Sequence, residues 1–265
     1  MDMRKTLFFV MIALLVVSTL ALVIITQQGR NPSLREWVTD CSLIILAVCA
    51  VGANVLAWNA TPAEFWQERR CWIFSVLGFV CFALGDGYWA YSELVAKVPV
   101  PVGSFADLFW NLAYLFLGLG LFFLLRTMFF PSKKKVYLVL FVTFAIAFAY
   151  AYVHVGKVVM VQGSFGDVVN DLYVLYDIIL LGMVALLLVP LLFYHNPLIT
   201  PWLLFGFAIL ARIAFDFIFA GLVSAGAYQS GSYVDLLYAL SYVLFTFTGD
   251  AKFNLLQRYA HRYER

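Results

Sequence analysis

An all-α, polytopic membrane protein of eight transmembrane helices is the fold class this sequence predicts, on three observations. Hydrophobic residues fill 64% of its 265 positions and charged residues 12%, about half the ~25% charged share of a soluble domain. Apolar runs near the ~20 residues needed to cross a bilayer recur at roughly 6–26, 34–58, 71–96, 104–130, 135–155, 165–194, 200–224 and 233–251. Four of the runs open on one pattern, Ser33-Leu-Arg-Glu36, Ser104-Phe-Ala-Asp107, Ser164-Phe-Gly-Asp167 and Ser232-Tyr-Val-Asp235. Ser-x-x-Asp/Glu before an apolar run is a capping box, whose hydroxyl and carboxylate satisfy the free N–H groups of a helix start.

In chain order, Arg4 and Lys5 followed by an apolar run imitate a signal peptide. The run is longer than a typical signal core and no small-x-small site follows it cleanly, so it is read as the first helix. The later runs are punctuated at Gly29 to Pro32, Asn59 to Pro62, Pro99 to Gly103, Pro131, Gly156 to Gly163, His195 to Pro197 and Gly226 to Gly231. Counting from a cytoplasmic N-terminus, twelve Lys and Arg fall on inner segments (4, 5, 69, 70, 126, 133, 134, 135, 252, 258, 262, 265). Only Arg30, Arg35, Lys97 and Lys157 fall on outer loops, and Arg212 lies within a helix. That bias places both termini in the cytoplasm and the four Ser-x-x-Asp/Glu starts on the outer face. Cys41, Cys49, Cys71 and Cys81 lie in apolar runs with no CxxC or nearby His, and read as small core residues.

An internal repeat organises the chain. WIFSVLGFVCFALGDGYWAYSEL (72–94) aligns with WLLFGFAILARIAFDFIFAGLV (202–223), setting Asp86 opposite Asp216. SFADLFWNLAYLFLGLGL (104–121) aligns with SYVDLLYALSYVLFTFTG (232–249). The expectation is one membrane domain, 1–250, made of tandem four-helix repeats (about 1–130 and 131–250), with 251–265 as a short basic tail. Four is even, so the two repeats share one orientation.

Polar residues inside the runs mark where chemistry can reside, because lipid cannot solvate them. Helical spacing groups Asp86, Trp89 and Glu93; Asp107, Asn111 and Tyr114; Asn170, Tyr173 and Asp177; and Asp235, Ala239, Tyr242 and Thr246. Asp107, Asp167 and Asp235 read first as helix caps. Asp177 lies thirteen residues beyond Ser164, ~20 Å along the helix and near the midplane. Arg212 reaches a similar depth and is expected to pair with Asp177, Asp216 or both, as a buried charge network. The 97–103 turn makes the third and fourth helices antiparallel neighbours, so Asp86, Trp89, Glu93, Asp107, Asn111 and Tyr114 are the expected lining of an outward-facing cleft. Such a cleft, aromatic-walled and acidic at its mouth, suits a small amphipathic or cationic ligand. Trp37, Trp58, Trp66, Trp72 and Trp202 read as lipid-facing or interfacial-belt residues.

No GxxxxGK[ST], HExxH or GxSxG occurs, and His154, His195 and His261 are isolated, so neither metal nor cofactor is expected. A retinal Schiff base would need a mid-helix lysine, and Lys252 sits at a helix end. The net charge of +2 carries no sign of nucleic-acid binding.

The stretch Leu84–Leu121, with Gly85-Asp86, Trp89, a Pro-containing turn, Gly103-Ser-Phe-Ala-Asp107 and Tyr114 before Gly-rich apolar sequence, resembles the multi-helix N-terminal membrane modules of prokaryotic sensor proteins. Those modules precede diguanylate-cyclase or histidine-kinase domains. The likeness covers about residues 72–121 and recurs weakly in 202–249. It implies a cell-membrane sensor, rather than an enzyme, that signals through the eighth helix and tail to a separate cytoplasmic partner. After the eighth run only Ala251 to Arg265 remain, so the output is expected on another protein. Two other readings stand beside it. One is an intramembrane hydrolase with Asp86 and Asp216 as an acid–base pair, vaguely similar to eight-helix lysoplasmalogenases. The other is a small-molecule transporter, suggested by the repeats and midplane charges.

Overall fold

The computed structural model describes residues 32–128, 133–161, 165–192 and 199–263, with seven positions between 14 and 24. The latter are helical and form α1. The remaining helices are α2 (Pro32–Ala60), α3 (Trp66–Ala90), α4 (Phe105–Leu125), α5 (Lys133–Val161), α6 (Phe165–Leu192), α7 (Thr200–Ser224) and α8 (Asp235–Tyr263). Five stretches, within α2, α3 with its continuation, α4, α6 and α7, are long and apolar enough to cross a membrane, and α5 adds a shorter apolar stretch, Val136–Tyr150. The chain is an all-helical membrane protein. Large apolar side chains such as Val48, Leu77, Leu115, Phe141, Phe148 and Leu181 point outward, where lipid tails would cover them.

Local chemistry sets the helix ends. At α4 the capping box forms as the sequence predicts: the Gly103 and Ser104 N–H groups donate to Asp107 Oδ2 at 2.8 and 3.1 Å. At α8 only the carboxylate half is built. Gly231 and Ser232 N–H donate to Asp235 Oδ2 at 2.7 and 3.0 Å, while Ser232 Oγ has no partner among the described residues. Gly103 and Gly231 precede these caps with φ of 88° and 84°, a left-handed turn that a side chain would strain. α2 begins at Pro32, whose fixed φ suits a first turn, so Ser33 lies inside the helix rather than capping it. The Ser164–Asp167 box falls outside the described side chains. α3 ends in a π-helical turn, Tyr91–Ala96, closed by Lys97 at φ 54°.

Two helices run further than their sequence breaks suggest. α5 passes through Gly156 to Val161. α8 continues to Tyr263, so most of the segment expected as a tail is helix. Nothing between Ala251 and Tyr263 breaks a helix. Asn254 also donates back to Asp250 at 2.7 Å, and Lys252 pairs with Glu68 of α3.

Helix contacts close a ring. α2 packs on α3, α3 on α4, α4 on α6, α6 on α7, α7 on α8 and α8 back on α2, while α5 packs on α6. The core follows the ring interior, through Leu46, Phe79, Leu117, Leu121, Phe205, Ile209 and Phe245. α2, α4, α6 and α8 all begin at one end of the bundle, here called the upper end. Arg35 of α2 reaches Gln229 there at 2.8 Å, and Ser230 donates to Glu93 at 2.8 Å. At the lower end Trp72 and Trp202 are buried and stack on each other, 5.2 Å between centroids. They are core rather than belt, unlike Trp37 and Trp66, which are exposed. Among the cysteines, Cys49 and Cys71 are buried as expected, whereas Cys41 is exposed.

Candidate functional site

A cavity of about 340 Å³ occupies the upper half of the ring. α2 contributes Asp40, α3 Phe82, Asp86 and Trp89, and α4 Asp107, Trp110 and Tyr114. α6 adds Asn170, Asp171, Tyr173 and Asp177; α7 adds Arg212, Phe215, Asp216 and Phe219; and α8 adds Tyr238. Val100, Pro101 and Val102 of the α3–α4 loop form part of its wall, and Pro101 and Val102 are exposed, so the cavity reaches the surface there.

Of the six residues expected to line a cleft, Asp86, Trp89, Asp107 and Tyr114 do so. Glu93 and Asn111 stand outside the wall. Glu93 accepts from Trp89 Nε1 and from Ser230 Oγ, both at 2.8 Å, and so ties α3 to the α7–α8 loop. Asn111 Nδ2 donates to the Asp107 carbonyl at 2.7 Å. The α6 face Asn170, Tyr173 and Asp177 turns into the cavity as a unit.

Asp86 takes its hydrogen bonds from side chains of two other helices. Trp110 Nε1 donates to Oδ1 at 3.0 Å, Tyr238 to Oδ1 at 2.6 Å and Tyr242 to Oδ2 at 2.7 Å. Gly85 makes this possible, because a Cβ there would lie 2.5 Å from the Trp110 ring. Asp216 accepts from the Tyr114 hydroxyl. Asp107 accepts from Tyr173 of α6 at 2.9 Å and Asp235 from Tyr228 of the preceding loop at 3.0 Å, so each cap carboxylate also anchors a tyrosine. Burial, and then the Asp235 carboxylate, pushes the loop residue Tyr228 well above the usual phenol range and keeps it a donor. Removing Asp235 should therefore cost about 2–3 kcal/mol, above the ~1 kcal/mol of an ordinary cap, because a tyrosine and two N–H groups lose their acceptor. Thermal unfolding of Asp235→Ala in detergent checks this; a loss no greater than that of an exposed cap would contradict it.

Arg212 departs from its expected pairing. Among the described residues no carboxylate lies within the 4.0 Å ion-pair distance of its guanidinium. Its Cζ sits instead 3.6, 4.2 and 4.8 Å from the ring centroids of Tyr238, Phe82 and Tyr242. Aromatic faces attract a guanidinium and are easily desolvated, so this arrangement replaces part of the hydration that burial removes. Arg212 Nε and Nη2 and Asp177 Oδ1 are buried without a hydrogen-bond partner among the described residues.

Sequence reasoning missed Asp40, Asp171 and Tyr238. Asp40 and Asp171 were findable by the rule that singled out Asp177, since each sits beyond the first turn of a membrane-length helix. Tyr238 was findable from the sequence alignment of 104–121 with 232–249, which sets it opposite Trp110. Both donate to the same oxygen of Asp86.

No protein-family model, curated protein or solved structure matches this chain.

Proposed function

We propose that this protein is a prokaryotic cell-membrane sensor module that binds a small amphipathic or cationic ligand from the outer side. In this reading it has eight spans in two tandem repeats, both termini in the cytoplasm, and α8 as the reporter to a separate partner. The observation that carries the reading is the cavity itself. Among the described residues it combines aromatic walls with six carboxylates, Asp40, Asp86, Asp107, Asp171, Asp177 and Asp216, against the cation Arg212. A cation bound among them gains both Coulombic and cation–π attraction. α8 supports the signalling step, since one unbroken helix carries Tyr238 in the cavity wall and ends at Tyr263 beyond Lys252.

The repeat is supported by reciprocal bonding. Asp86 of the first half accepts from Tyr242 of the second, and Asp216 of the second accepts from Tyr114, the residue aligned with Tyr242. The ring order α2-α3-α4-α6-α7-α8 repeats one three-helix arc. Arg69, Arg70, Arg126, Lys252 and Arg258 near the lower end support a cytoplasmic assignment for that end. The hydrolase reading is less favoured: Asp86 and Asp216 share the cavity, but Asp86 already accepts three hydrogen bonds and is poorly placed to exchange a proton.

The test pairs binding with motion. A short alkyl-trimethylammonium probe should change the tryptophan emission of the purified protein saturably, through Trp89 and Trp110. It should also shift the spin-label distance between Arg258→Cys on α8 and Arg126→Cys at the end of α4, in a background otherwise free of cysteine. Absence of saturable binding overturns the binding reading, and binding without a distance change overturns the role of α8.

A further inference from the structure

The unpartnered edge of Arg212 and the unpartnered oxygen of Asp177 line one cavity, and together they have a more specific meaning. Arg212 and Asp177 are each 2% exposed and both line the cavity. Buried polar atoms of a charged group that make no hydrogen bond are costly, and a fold of marginal stability keeps few of them. On Arg212 the two unpartnered atoms are Nε and Nη2. These share one edge of the guanidinium plane, the pair of parallel N–H groups that grips both oxygens of a carboxylate or phosphate. The rings of Phe82, Tyr238 and Tyr242 crowd the guanidinium, 3.6–4.8 Å from Cζ to their centroids, while the Nε/Nη2 edge makes no hydrogen bond among the described residues. Asp177 Oδ1 supplies an open acceptor of opposite charge in the same cavity.

We infer that the cavity receives a zwitterion, its oxyanion gripped by the Nε/Nη2 edge of Arg212 and its ammonium set against Asp177. This rests on the binding reading above and narrows its ligand class. The acidic and aromatic walls draw the ammonium inward, and Arg212 selects zwitterions over simple amines. One such ligand is a free small molecule; another is the phosphoammonium headgroup of a single-chain lipid.

The experiment is calorimetric titration of the full chain in detergent with glycine betaine, phosphocholine, lysophosphatidylcholine, choline and acetate. At least one zwitterion should bind tenfold or more tighter than choline, and acetate should not bind. Preference for glycine betaine or phosphocholine indicates a free ligand, and preference for lysophosphatidylcholine a lipid headgroup. Arg212→Lys keeps the charge but not the two-pronged edge, and should erase the preference while choline affinity stays within about threefold. Asp177→Asn should weaken zwitterion and choline together. Choline binding as tightly as every zwitterion overturns the inference and leaves the cationic-pocket reading standing. No saturable binding by any probe overturns both. An undiminished preference in Arg212→Lys overturns the role of the edge, and because the parent comparison is decisive by itself, a variant that fails to fold does not protect the idea.

Discussion

Asp86→Ala is expected to be the most destabilising substitution of a cavity residue. Its carboxylate gathers Trp110 from α4 and Tyr238 and Tyr242 from α8 onto α3, so it joins three helices at one point. Interhelical hydrogen bonds in bilayers average only about 0.6 kcal/mol each, so three account for about 2 kcal/mol. Stranding the donors adds to that, and a total loss of about 2–4 kcal/mol is expected. Tyr242→Phe removes one donor and should cost about a third as much. Asp86→Asn should fall between, because its remaining oxygen can still accept while its amide can donate to a tyrosine hydroxyl. Thermal unfolding in one detergent ranks the four proteins. Asp86→Ala melting with the parent would mean that the bonds do not hold the helices.

Gly249→Ala tests a close helix approach lower on α8, two turns beyond Tyr242, where two effects compete. Alanine gains about 0.8–1.0 kcal/mol over glycine in a helix interior. The new Cβ would lie 2.5 Å from the backbone C and O of Ala53 and 2.8 Å from the Asn54 nitrogen. Backbone cannot rotate aside as a side chain can, so α2 and α8 must separate, and overpacking of this kind costs about 1–3 kcal/mol. Separation also weakens the Asn54 Nδ2 bond to the Phe245 carbonyl, 3.2 Å across the same interface. The clash should win, with a net loss of about 1–2 kcal/mol after the propensity gain. Gly87→Ala is the control, since nothing lies within 4 Å of a Cβ there. It should raise stability by up to ~1 kcal/mol. Two Gly→Ala changes that move the melting temperature in opposite directions would support this close approach; both raising it would remove it.

What the sequence discloses is mostly local. Hydropathy marks the helices, and Ser104-x-x-Asp107 announces a start whose hydrogen bonds then form. Helical spacing brings Asn170, Tyr173 and Asp177 to one wall, because 3.6-residue periodicity needs no knowledge of neighbours. Closure of the ring is not local: α2 meets α8 across most of the chain, and neither surface names the other. The aromatic setting of Arg212 was hidden for the same reason. Depth implies that a buried guanidinium needs company, but not whether carboxylates or rings provide it. Trp72 and Trp202 were misplaced because a tryptophan near a span end has two good solutions, and only the partner helix selects burial.

The Trp72–Trp202 stack carries one more consequence. Under the alignment of the two halves these tryptophans are equivalent positions, and a residue can touch its own equivalent only near a symmetry axis. Phe82 and Arg212 are equivalent as well, and they too are in contact, 4.2 Å from Cζ to ring centroid. Two identical segments meeting there in an isologous pair would set like against like, two phenylalanines or two arginines for instance. Two guanidinium ions face to face would repel; two phenyl rings would leave an apolar floor without an anion grip. With Phe82 matched to Arg212, the contact instead sets one charge against one ring, so the anion grip exists once and not twice.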